Sequence, residues 1–73
     1  MPKLYSSSEI AGVLQKIGFS FIKQKGSHAK FKNKENKVVI LPMNRKEIPQ
    51  GTLRSILRQA GINYKKFEEI LKS

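Results

Sequence analysis

The spacing of apolar residues switches from helical to alternating and back along this chain, and that switch limits the fold more than any other feature. Ile10, Val13, Leu14 and Ile17 fall at i, i+3, i+4 and i+7, one stripe of a helix running from Ser8 to Ile17. Ser6 with Glu9 three residues on fits a capping box, Ser7 and Ser8 are rival N-caps, and Gly18 stands where a left-handed C′ residue belongs. Leu53, Ile56, Leu57 and Ala60 predict a second helix over Thr52 to Ala60, closed by Gly61. Asn63 can cap a short third helix that carries Phe67, Ile70 and Leu71.

Between the helical stripes the period drops to two. Phe19 and Phe21 share one face of an extended segment, and Lys23 and Lys25 continue that parity toward a Gly26-Ser27 turn. Beyond the turn Ala29 and Phe31 lie on one face, while His28, Lys30 and Lys32 lie on the other. Asn33 to Asn36 reads as a polar loop, and Lys37 to Leu41 as a β-branched strand stopped by Pro42. The pattern predicts a three-stranded antiparallel meander, buried by helices on one face and wet on the other. MNRKEIPQG is a loop with Pro49 and Gly51 as breakers, and Gly51 leaves N–H groups that favour an anion. The expected architecture is one α+β domain spanning residues 1–73, of order α-β-β-β-α with a short C-terminal third helix.

A chain of 73 residues buries only about 60% of its unfolded surface, so it cannot spare its large apolar groups. Phe19, Phe21 and Phe31 are therefore expected in the core rather than stacked on bases. Fifteen Lys and Arg stand against five acidic residues, for a net charge of +10. Such a surface attracts polyanions, with nucleic acid ahead of an anionic membrane or an acidic protein. No apolar run approaches the length of a membrane span, and the N-terminus lacks the apolar stretch of a secretory signal. A soluble, cytoplasmic protein is expected.

The residue inventory narrows the chemistry. With no Asp or Cys, one His and an adjacent Glu68-Glu69 pair that does not converge on one point, neither a metal site nor a cofactor is expected. Thiol nucleophiles are absent, and Ser27 and His28, as neighbours on a strand, point to opposite faces, which weakens a serine-hydrolase reading. Ser27 either donates a hydrogen bond to phosphate or shapes the turn. Imidazole exchanges protons near neutral pH, and RNA brings its own nucleophile in the 2′-hydroxyl. His28 could thus act as a general base, with Lys25, Lys30 and Lys32 holding the phosphate and Lys23 extending the basic face. An exposed histidine among lysines is the other reading, and the residues alone leave both open. Arg54 and Arg58, four apart on the polar side of the second helix, either contact phosphate or sit in water.

Three segments carry a resemblance: KGSHAKF (Lys25 to Phe31), VILPMNRKEIPQGTLRSILRQAGI (Val39 to Ile62) and the opening helix that ends in Gly18-Phe19. Together they cover nearly the whole chain, which resembles HicA toxins, the mRNA interferases of HicA–HicB type II toxin–antitoxin modules. The resemblance implies a dsRBD-like fold, cleavage of messenger RNA, and neutralisation by a HicB-like antitoxin. It carries the family's essential histidine onto His28 and the preceding Gly-Ser onto Gly26 and Ser27. One departure stands out, since many members have a second polar residue, often His, where this chain has Ala29. Strand parity turns Ala29 toward the core, so the general acid falls to a lysine, the serine or water. A non-catalytic RNA-binding module of the same fold is the alternative reading.

Overall fold

The first helix begins at the cap its sequence encodes. In a computed structural model that describes residues 3–73, α1 spans Ser7–Lys16. Met1 and Pro2, the first residues of the expected domain, lie outside the described residues. The Ser6 hydroxyl accepts from the Glu9 N–H at 3.1 Å, and the Glu9 carboxylate accepts from the Ser6 N–H at 2.9 Å. This reciprocal pair satisfies two donors that a helix start leaves open. Gly18, at φ 101, turns the chain out of the helix.

Three strands follow: β1 (Ser20–Lys25), β2 (His28–Lys32) and β3 (Val38–Pro42), antiparallel in the order β1-β2-β3. Two helices complete the chain, α2 (Gln50–Ala60) and α3 (Tyr64–Lys72). The α+β class and the α-β-β-β-α order with a third helix are those the periodicity predicts. α2 starts two residues before the expected Thr52, because Pro49 already holds a φ of −58 that leads into a helical turn. Gly51 consequently lies within the first turn of α2 rather than ahead of it.

The buried face of the sheet carries Ala29, Phe31, Val39 and Leu41. These pack in one cluster with Ile10, Val13 and Leu14 of α1, Leu53, Ile56 and Leu57 of α2, and Phe67 of α3. Each large side chain taken fully out of water contributes roughly 1.5–3 kcal/mol. The connection after β3 is more structured than a plain loop. Ile48 is buried and bridges Tyr5, donating its N–H to the Tyr5 carbonyl at 2.7 Å. Tyr5 in turn meets Phe67 edge-on at 5.1 Å and donates to the Glu68 carboxylate at 3.3 Å. The neighbouring Tyr64 hydroxyl, burial and the Glu68 charge together push the Tyr5 phenol up to about 12.

Phe21 corrects one expectation. It pairs with Phe31 and so shares its face, yet it is 50% exposed. The helices approach β3 rather than β1, so the inner face loses its cover toward the β1 edge. Phe21 keeps an edge-on contact with Phe31 at 5.9 Å but is not part of the core.

Candidate nucleic-acid interface

The β1–β2 hairpin closes through the two-residue Gly26-Ser27 turn. Gly26 takes a φ of 61, which a type II′ turn requires at its first central position and which glycine adopts without strain. The Ser27 carbonyl accepts from the Met43 N–H, extending the β2–β3 ladder past the end of both strands. Behind it, the buried Ser7 hydroxyl donates to the Pro42 carbonyl at 2.6 Å and accepts from the Arg45 N–H at 3.1 Å. The end of β3 is thereby tied to the start of α1. His28, first residue of β2, is held between these two anchored segments with its side chain exposed.

Lys23 and Lys25 correct a second expectation. Continuous alternation from Phe21 would turn both toward the phenylalanine face, away from His28. Instead the register shifts between Phe21 and Lys23, leaving Ile22 as the extra residue of a β-bulge. The parity of β1 inverts there, so Lys23 pairs with Lys30 and Lys25 pairs with His28. Directly opposed residues of antiparallel strands share a face. Across the sheet the pairing continues from His28 to Pro42, from Lys30 to Ile40 and from Lys32 to Val38.

The outer face is thus a grid of three rows: Lys25–His28–Pro42, Lys23–Lys30–Ile40 and Ser20–Lys32–Val38. None of its nine residues is acidic. Like charges directly opposed across strands destabilise a sheet, by a few tenths of a kcal/mol each, so an unliganded protein gains nothing from Lys23 facing Lys30. An anion laid on the face removes that cost. Cross-strand nuclear Overhauser contacts test this register. Phe21 should contact Phe31 while Lys23 contacts Lys30, with Ile22 left without a partner between them. Pairing of Ile22 with Phe31 and of Phe21 with Lys32 would contradict the bulge.

The predicted site residues divide by position. His28, Lys23, Lys25, Lys30 and Lys32 meet on the outer face, and Gly26 and Ser27 form the turn at its end. Arg54 does not join them. Gln59 of α2 reaches β3, accepting from the Ile40 N–H at 3.1 Å, and Arg54 lies about 140° round the helix from Gln59. Arg54 and Arg58 are both exposed on that other flank. Sequence reasoning missed the outward Val38 and Ile40, 37% and 42% exposed, because their β-branched run reads as buried strand. Among the described residues no three His, Cys, Asp or Glu side chains gather where a metal ion could be held. No helix among them is long and apolar enough to cross a membrane.

Fold and face together define a class: a small basic α+β domain whose open sheet face sets a single histidine among lysines. The family model described as the HicA toxin of bacterial toxin–antitoxin systems matches residues 7–62, from the first turn of α1 to just past α2. The chain belongs to the HicA toxin family, and membership implies an antitoxin partner. Among curated proteins no match is found. α3 lies beyond the matched stretch, although its Phe67 is part of the core.

Proposed function

We propose that this toxin is a metal-independent endoribonuclease that cleaves messenger RNA in the cytoplasm, with His28 as general base. The observation that carries the reading is the pairing of His28 with Lys25 on an open face where Lys23 and Lys30 form the next row. The His28 imidazole takes the proton of a ribose 2′-hydroxyl, and the resulting oxygen attacks the adjacent phosphorus. The bond from phosphorus to the 5′-oxygen breaks, leaving a 2′,3′-cyclic phosphate and a 5′-hydroxyl. The proton that completes the 5′-hydroxyl comes from Lys25 or from water. Ammonium groups at Lys25, Lys23 and Lys30 offset the charge that develops on the phosphate oxygens. Ser27, exposed at the turn, offers a hydroxyl to the same phosphate, and Lys32 extends the basic face by one row. Arg54, on another flank of the domain, contacts backbone further along the RNA.

A HicB-like antitoxin neutralises the protein by covering His28 and its lysines, for which a negatively charged surface is the fitting complement. The competing reading is an RNA-binding module without catalysis. Purified protein incubated with RNA in excess chelator separates the two. Cleavage in chelator is the expected result. RNA left intact both in chelator and with divalent cations restored, and bound with a log–log salt slope of roughly −0.7 per phosphate contact, would establish the non-catalytic module instead.

A further inference from the structure

The outer face has a second component that phosphate binding does not use. Its β3 column is Val38, Ile40 and Pro42, of which the first two are exposed and Pro42 is half-buried. Val38 is 37% exposed and Ile40 42%, although a chain this short has few apolar groups to leave in water. Apolar side chains thus line one margin of a face whose other two columns carry Lys23, Lys25, His28, Lys30 and Lys32. The occupant that complements both margins is anionic along one side and apolar along the other.

We propose that Val38, Ile40 and Pro42 form a lane for the bases of single-stranded RNA, while the lysine columns take its phosphates. The inference rests on the proposed ribonuclease reading and names the form of RNA and the path it follows. Successive rows lie two residues apart along β2, about 6.6–6.8 Å, which suits one nucleotide per row of an extended strand. The nucleotide in the first row has its sugar beside His28, and the next two lie over Ile40 and Val38. A duplex turns its bases inward and presents only sugar and phosphate, so it touches the lysines and leaves the lane empty. Such contacts are tolerant of sequence, because every base offers an apolar face.

The test measures binding in the His28→Ala background, so that cleavage does not interfere. Val38→Thr with Ile40→Thr keeps both residues β-branched, which preserves strand propensity while adding polarity. Three probes of equal length are compared: a single-stranded oligoribonucleotide, its duplex, and an abasic oligomer with the same phosphates. The double variant should bind the single strand about tenfold more weakly and leave the other two probes unchanged. Ile40→Tyr, which enlarges the lane, should tighten the single strand alone. Equal losses on all three probes, or none, would overturn the lane. So would a double variant with unchanged RNA affinity that no longer co-purifies with a co-expressed antitoxin, since the column would then be a protein-docking surface. Absence of cleavage by the parent protein would refute the ribonuclease reading separately, because none of these binding comparisons depends on turnover.

Discussion

The His28→Ala protein is expected to cleave RNA about 10²–10⁴-fold more slowly than the parent, the usual cost of removing a general base. Its growth toxicity should vanish with the activity. Fold and RNA affinity should persist, for reasons of position. The His28 side chain is exposed and outside the core cluster, and the backbone around it is held by the Gly26-Ser27 turn and by the Met43 and Pro42 contacts. The lysines proposed to bind phosphate are separate residues on neighbouring positions of the grid. Single-turnover cleavage rates, measured beside thermal melting and binding to a non-cleavable oligonucleotide, distinguish lost chemistry from lost structure. Equal rates for the two proteins would remove His28 from the mechanism.

Phe67→Ala should act through stability instead, lowering it by about 3–5 kcal/mol. Small domains are stable by only about 5–15 kcal/mol, so this one change would consume much of the total. Phe67 is fully buried, meets Tyr5 edge-on and anchors α3 to the same core as the sheet. Because α3 lies beyond the segment matched by the family model, the substitution asks whether this C-terminal helix is integral to the fold. Denaturant unfolding of parent and variant gives the answer. A loss below about 0.5 kcal/mol, the range of ordinary surface changes, would mean that α3 merely rests on the domain.

How far the sequence revealed this molecule depends on how local each interaction is. The Ser6–Glu9 capping box, the Gly18 and Gly61 stops and the Asn63 cap act within a few residues, and all four are present. The stripes of α1 and α2 and the faces of β2 follow from period alone. Long-range ties were not legible. Nothing near Ile48 announces its bridge to Tyr5, and Ser7, a rival N-cap by sequence, is spent on Pro42 and Arg45. Phe21 shows the limit of parity, which names a face but not how far helices extend over it.

The site was legible to the same extent. His28, Lys30 and Lys32 lie in one strand, so alternation alone puts them together. Lys23 and Lys25 join them only through the bulge at Ile22, and no residue in Phe21-Ile22-Lys23 signals an extra position. The inversion matters, since without it Lys23 and Lys25 could not face outward while Phe21 shares the face of Phe31. Arg54 looked equivalent to the strand lysines because charge carries no direction in sequence. The geometry of α2 separates it from them.

The chemical ends of the cleaved RNA test the central claim most directly. Attack by a 2′-hydroxyl under His28 catalysis leaves a 2′,3′-cyclic phosphate on one fragment and a 5′-hydroxyl on the other, and a 2′-deoxy substitution at the cut site stops the reaction. Mass spectrometry of a single defined oligonucleotide reads both outcomes. Fragments ending in a 3′-hydroxyl and a 5′-phosphate, or continued cleavage at the 2′-deoxy position, would contradict it.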